Sequence, residues 1–331
     1  MTGQPNRPVG VLGVDIGGTK VAVAAADREG HLLGRATRAT TAGDGAEAAL
    51  GRIFEAIDAA CAEAGIARPE ALGVGAPGIS VLGGPNLLCP NIPGWAELDL
   101  FSRFDARYGC PLAIRNDIKT AALGEGWRGA AQGARSWIYV GIGTGIAAGI
   151  VVDGQLWEGA HGAAGEIGYW TPSMQRSADA LRAGQPLPSY SGGHCPLEEI
   201  VAGRAVGERA TALVAAGGAP LLRQIDATDG TVTARMLFEA AAAGDAAARD
   251  LADDVAYLLG VALAHLVIVV DPELLVIGGG LSGAGAPLLG PIERAMADLT
   301  PFPPRVIFST LGGDSGLYGA VRLALDLWPN G

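Results

Sequence analysis

The stretch Val11-Leu12-Gly13-Val14-Asp15-Ile16-Gly17-Gly18-Thr19-Lys20 reads as an apolar strand that carries one carboxylate, Asp15, near its end and then breaks into a Gly-Gly-Thr turn. Glycine at 17 and 18 lets backbone N–H groups approach phosphate oxygens with no Cβ in the way. Thr19 adds a hydroxyl, and Asp15 is placed to hold hydrated Mg²⁺. Taken alone, such a segment is either a phosphate cradle or a plain hairpin turn. A second copy favours the cradle: residues 138–152, from Ile138 through Gly141-Ile142-Gly143-Thr144-Gly145 to Val152, repeat the plan of apolar strand, Gly/Thr turn and apolar strand.

Each copy opens its own half of the chain, and each half then alternates helical and strand-like segments. That order describes two similar α/β halves facing one cleft. In the first half strands are expected near 10–16, 20–26, 31–37, 71–76 and 111–115. A helix is expected over about 45–65, where Ala49, Ile53, Ile57 and Ala60 fall at helical spacing. The second half offers hairpin strands near 136–152, Ala-rich helices near 203–215 and 232–268, and the strand 274–277. A helix over 286–299, a strand 306–309 and a final helix 314–327 follow. The alternation argues for a mainly parallel sheet with helices on its faces. The expected domains are 1–134 plus the C-terminal helix 316–331, and a larger one over 135–315.

With 331 residues, 49% of them hydrophobic, the chain has the means to bury a sizeable core. No stretch reads as long and apolar enough to span a bilayer, and the first residues lack the apolar core of a secretion signal, so a cytoplasmic protein is expected. Cys61, Cys89, Cys110 and Cys195 are scattered without CxxC spacing and read as reduced thiols. A net charge of −11 disfavours nucleic-acid binding, which needs a basic surface to neutralise phosphates.

The strand ending Leu112-Ala113-Ile114-Arg115 delivers Asn116 and Asp117 just before a helical pattern. Either residue is a good N-cap. Ligands of open α/β sheets, however, collect outside the carboxyl ends of strands, where Asp15, Asp117 and the 141–145 turn would all sit. Glu166 stands in a Gly-rich loop with little side chain to pack against. Trp95 reads as a packing residue, and Lys20 either touches phosphate or faces solvent.

The chain resembles the ROK family of sugar kinases, within the hexokinase, Hsp70 and actin group of folds. The resemblance rests on Asp15-Ile16-Gly17-Gly18-Thr19-Lys20, Gly75-Ala76-Pro77-Gly78, Asn91-Ile92-Pro93-Gly94-Trp95, Asn116-Asp117, Gly141 to Gly145, Gly162-Ala163-Ala164-Gly165-Glu166-Ile167-Gly168 and Gly278-Gly279-Gly280. It implies two ribonuclease-H-like, actin-like ATPase domains flanking an active-site cleft, with ATP and Mg²⁺ as cofactors and a homodimer as the assembly. By the same resemblance Asp117 is the catalytic base that takes the proton from a sugar's primary hydroxyl as its oxygen attacks the γ-phosphorus. Asn91, Asn116, Glu166 and Glu198 match positions that bind the ring hydroxyls. Asp15, Gly17, Gly18, Thr19 and Lys20 form the first phosphate loop, Gly143, Thr144 and Gly145 the second, and Gly279 and Gly280 the turn beside the adenosine. Repressors of the family carry an N-terminal helix-turn-helix domain, for which the roughly ten residues before the first strand leave no room.

One segment departs from the family. Many members hold a structural zinc ion with a His and three cysteines. Here Tyr169 takes the His position, and an ungapped alignment ending on Leu197-Glu198 puts Ser189, Ser191 and Pro196 in the cysteine positions. His194 and Cys195 alone do not make a four-coordinate site, so no structural zinc is expected. Because Tyr169 to Glu198 borders the expected sugar site, the acceptor is expected to be glucose-like without having to be glucose: an amino sugar or a carbasugar cyclitol. Residues 170–193 are a candidate lid.

Overall fold

The computed structural model describes residues 10–80, 85–87, 92–187, 194–225 and 232–328. It divides into two compact units, one of Met1–Gly133, Glu158–Ala163 and Gly313–Gly331, the other of Ala134–Trp157 and Ala164–Gly312. Segment Glu158–Ala163, which the expected boundaries place in the larger domain, therefore packs with the first unit. It is pinned there by Lys119 Nζ, which donates to the Gly162 carbonyl, and by an Arg115–Glu158 ion pair at 2.9 Å.

The first unit opens with β1 (Val11–Ile16), β2 (Lys20–Ala26) and β3 (Leu32–Ala39), and continues through α1 (Ala46–Ala64) to β4 (Leu72–Ala76). Two-residue strands β5 (Ile79–Ser80) and β6 (Asn86–Leu87) precede α2 (Leu100–Tyr108), β7 (Leu112–Asn116) and α3 (Asp117–Arg128). The sheet runs β3-β2-β1-β4-β7, antiparallel across β3, β2 and β1 and parallel across β1, β4 and β7. It is thus half antiparallel rather than mainly parallel, because the Gly-Gly turn folds β2 back on β1.

Burial on both faces explains why β1 has no alternation. Leu12, Val14 and Ile16 pack under α1, whose buried residues Ala46, Ala49, Leu50, Ile53, Ala56, Ile57 and Ala60 follow the helical repeat. The other face carries α3 and the C-terminal helix Ser315–Leu327. Glycines let them approach: a Cβ on Gly13 or Gly73 would overlap the backbone of that helix, and one on Gly319 would overlap the Thr120 carbonyl. Buried Glu125 accepts from Ser315 Oγ at 2.6 Å and from the Ala130 N–H at 2.7 Å, joining the two helices.

The second unit repeats the plan. Strands β8 (Trp137–Ile142), β9 (Ile146–Val152) and β10 (Gln155–Leu156) form an antiparallel meander. Helices α4 (Met174–Arg182), α5 (Glu198–Val201), α6 (Gly203–Ala215), α7 (Pro220–Ile225), α8 (Ala234–Ala242) and α9 (Ala246–Val270) follow. Then come β11 (Leu274–Gly278), α10 (Ala286–Leu299) and β12 (Arg305–Phe308), and the C-terminal helix is α11. The order β10-β9-β8-β11-β12, again with its second half parallel, matches the first sheet strand for strand.

Two helical expectations change. The helix expected over 232–268 is two, because Gly244 takes φ +100° and Asp245 caps a new start by accepting from Ala248 N–H at 3.1 Å. Contrary to the expectation that no segment is long and apolar enough to cross a bilayer, α9 meets both criteria. Its composition has a structural cause in this fold: Val255, Ala256, Leu259, Leu263 and Val267 are buried in the second unit's core, in the cluster that also holds Phe238 of α8 and Ile292 of α10.

Candidate functional site

In the first unit, register puts the chemistry on one sheet edge. Asp15 of β1 pairs with Gly75 of β4, and Gly75 and Ala76 pair with Arg115 and Asn116 of β7, all in parallel. Asp15 and the Asn116-Asp117 pair therefore leave the sheet at its carboxyl edge. The β1–β2 turn is closed by a Gly17 N–H bond to the Lys20 carbonyl at 2.9 Å, and Thr40 Oγ1 donates to the Gly17 carbonyl at 2.7 Å. Gly18 and Thr19 are exposed, and a Cβ on Gly18 would meet nothing, so the turn has open space above it.

Asp15 is partly buried, its carboxyl packed against Gly316 at the start of α11. Burial pushes its pKa up to about 6, with Lys20 opposing the shift and Asp314 adding to it. Lys20 Nζ lies over Gly313, which turns it toward the two acids. Asp314 is held by a two-pronged bond from Arg35 at 2.6 and 2.8 Å, and that guanidinium keeps its carboxyl below the ordinary range.

Asn116 is the N-cap of α3. Its Oδ1 accepts from the N–H groups of Ile118 and Lys119 at 3.0 and 3.3 Å, and its Nδ2 donates to the Gly78 carbonyl at 3.2 Å. Asp117, the acid of the first turn, also accepts from the Ile118 N–H through Oδ1 at 2.9 Å. Asn91 lies outside the described residues. Trp95 is fully buried in the first unit's core.

In the second unit, Gly143 N–H bonds the Gly145 carbonyl at 2.9 Å and closes the tight β8–β9 turn. Gly279, at φ +79°, turns the chain directly after β11, where a Cβ would overlap Ile142. Beside these turns lies a cavity of about 940 Å³ bordered by Gly143, Thr144, Gly280 and Leu281, and walled by one face of α6 and the start of α8. Gly203 and Gly207 bare that face of α6: Gly203 N–H bonds the Gly143 carbonyl at 2.8 Å, and a Cβ on Gly207 would press on the Val232 carbonyl. Arg204, Glu208, Thr211 and Arg235 supply its polar lining. Sequence reading missed these four; the available signal was the four-residue spacing of glycines at 203 and 207 in an otherwise Ala-rich helix.

Glu166, Tyr169 and Glu198 come together in the same unit. Gly165 pairs with β9 through its carbonyl, which accepts from Ala148 N–H at 2.8 Å, and a 3-10 turn, Ile167–Tyr169, starts straight after Glu166. Glu198, the first residue of α5, accepts from Ile146 N–H through Oε2 at 3.2 Å. Burial raises its pKa, opposed by that N–H and by Arg204. A Cβ on Gly145 would collide with the Glu198 carboxylate, so the glycine assigned to phosphate also makes room for this acid. Burial first, then neighbouring Cys195, Glu166 and Glu198, hold the Tyr169 phenol above its ordinary pKa. His194 Nδ1 sits 3.0 Å from Glu199 Oε1, and the Cys195 N–H donates to the same oxygen at 3.3 Å. Ser189 and Ser191 lie outside the described residues.

A model of the ROK family matches residues 11–327. A glucokinase from Halalkalibacterium halodurans is 33% identical over 93% of this chain and 92% of its own length. The structure of a ROK family glucokinase from Streptomyces griseus in complex with glucose and AMPPNP is similar, with a TM-score of 0.79 at 30% identity over 96% of this chain and 99% of the other. A ROK hexokinase from Thermus thermophilus gives a TM-score of 0.72 at 32% identity, over 96% and 98%. The fold is the one expected, α/β with two actin-like ATPase domains.

Proposed function

The chain belongs to the ROK family and is an ATP-dependent sugar kinase, and from that premise we propose that it phosphorylates the primary hydroxyl of a glucose-like polyol with Asp117 as general base. The observation that carries the assignment is the placement of Asp117: the parallel register of β1, β4 and β7 puts it at the head of α3, on the same carboxyl edge of the sheet as Asp15. Asp117 takes the proton of the acceptor hydroxyl as that oxygen attacks the γ-phosphorus, and ADP leaves with the electron pair of the broken P–O bond.

The phosphates lie on the Gly17-Gly18-Thr19 and Gly143-Thr144-Gly145 turns, and the adenosine fills the cavity under α6 and past Gly279-Gly280. Asp15 fits Mg²⁺ held through water, since a carboxyl whose ionisation is opposed by burial is stabilised by a nearby dication. Mg²⁺, when bound with the nucleotide, supplies neutralisation of phosphate charge. Asn91, Asn116, Glu166, Tyr169 and Glu198 bind the ring hydroxyls, each of which costs about 1–3 kcal/mol if buried unpaired.

The altered Tyr169–Glu198 segment supports an amino sugar or carbasugar cyclitol as the acceptor, and the glucokinase relatives support glucose as the second reading. A panel of glucose, mannose, free and N-acetylated amino sugars and C7-cyclitols, with ATP and Mg²⁺, separates them: glucose as by far the best acceptor sinks the first. Asp117→Asn is expected to keep ATP and acceptor binding while kcat falls by about 10²–10⁴-fold. Retained turnover overturns the base.

A further inference from the structure

Of the 23 lysines and arginines in the chain only Lys20 and Lys119 are lysines. Lys119 stands at the head of α3, two residues past Asp117, and is 2% exposed. Its Nζ donates to the carbonyl of Gly162, in the segment Glu158–Ala163 that packs with the first unit. The other end of that segment is tied by the ion pair of Glu158 with Arg115, two residues before Asp117, at 2.9 Å. A further contact closes the ring. Asn116 Nδ2 donates to the Gly78 carbonyl at 3.2 Å, and the next residue, Ile79 of β5, has its Cγ2 3.1 Å from where a Cβ on Gly162 would stand. Residues on both sides of Asp117 are therefore bound to one short strap, and the strap rests on β5.

We propose that Lys119 is a positioning residue for the general base: with Arg115 it fastens Glu158–Ala163 across the β7–α3 junction and so fixes where the Asp117 carboxylate stands. Lysine suits the place. A slender apolar stem can be buried while its ammonium reaches a carbonyl, whereas a guanidinium presents five donors in a planar fork and demands more acceptors. A buried ammonium is costly without its acceptor, which keeps the strap drawn onto α3. Asp117 Oδ1 bonds the Ile118 N–H at 2.9 Å, so the carboxylate follows its own turn of helix, and whatever sets that turn sets the carboxylate. A base misplaced by about 1 Å loses up to about 10²-fold in rate. Lys119 acts through this turn and not on the reacting atoms.

The proposal rests on the reading of Asp117 as the base. A double-variant cycle, read by steady-state kinetics with Mg·ATP and the best acceptor of the panel, glucose in the first instance, tests both. Lys119→Met keeps the apolar stem and removes the donor. It is expected to lower kcat about 10- to 100-fold, with the ATP and acceptor KM each within about twofold of the wild type. Glu158→Ala opens the other fastening at a half-exposed position, where folding is not at stake, and is expected to lower kcat about three- to fivefold. In the Asp117→Asn background neither change is expected to lower kcat measurably further, because the base they position is gone. A merely structural role costs the same factor in both backgrounds. Equal factors in the two backgrounds, shifts of KM in place of kcat, or wild-type kcat in both single variants overturn the positioning role and leave the base standing. Turnover retained in Asp117→Asn itself overturns the base, and the positioning role with it. Should Lys119→Met not fold, Glu158→Ala carries the same cycle.

Discussion

Asp15 pays an electrostatic penalty in the folded protein. Its pKa stands near 6 instead of 3.8, chiefly through burial. A carboxyl raised on folding favours the protonated native state, so its contribution to stability is complete below about pH 3.8 and is lost as pH rises through 6. Asp15→Asn escapes that loss. Urea unfolding of the ligand-free proteins is expected to show the variant more stable at pH 7.5, by about 1–3 kcal/mol, with the advantage vanishing toward pH 4. The variant is also expected to lose most of the thermal stabilisation that Mg·ATP gives the wild type. A difference independent of pH rules out the burial of this charge as its cause. Asp15 and Asp117 were legible in the sequence because both fall at the carboxyl ends of strands, where ligands of open α/β sheets collect, and Glu166 because its Gly-rich loop leaves little to pack against. Gly145 was legible only as a glycine; that it clears space for Glu198 depends on a residue more than fifty positions away.

At the scale of elements, the closest packing in the first unit is the crossing of α11 over β1, β4 and α3. Gly13, Gly73, Gly124 and Gly319 allow backbones to meet where any Cβ would overlap. Gly319→Ala is expected to lower stability by at least about 1–3 kcal/mol, the usual range for overpacking, since the obstacle is the Thr120 carbonyl rather than a movable side chain. Thermal unfolding measures it, and a melting temperature equal to the wild type's contradicts the crossing. The same crossing sets Gly316 and Asp314 beside Asp15. The sequence announced α11 by its apolar spacing but not its destination. It also hid the break between α8 and α9, where a single Gly-Asp step outweighs a long run of helix formers, and α4, whose large apolar residues Met174 and Leu181 lie exposed and so give no buried stripe to read.

For the whole molecule, duplication is the organising fact, and the two sheets share one connectivity down to the antiparallel strand at the edge. Only the first unit is completed from the far end of the chain. Deleting residues 313–331 removes Leu317, Val321 and Ala324 from the cluster that holds Val11, Ala22 and Ala24, whereas the second unit's core, among the described residues, falls within 138–308. Hydrogen exchange on the truncated protein is expected to show β1, β2 and β4 unprotected while β8, β9 and β11 keep their protection. Continued protection of β1 contradicts the assignment of α11 to the first unit's core. By itself the sequence determined what is local and repeated: the two strand–turn–strand segments, the helical periods, and the acids placed at strand ends. These follow from dihedral preference and short-range patterning, which neighbouring residues suffice to specify. Only the tertiary structure decided which distant pieces meet. It brought Lys119 to Gly162, the α6 glycines to the Gly143 turn, and Glu198 to Gly145 and Ile146. Such pairings arise from close packing between surfaces that the chain forms separately, and no spacing along the sequence encodes them.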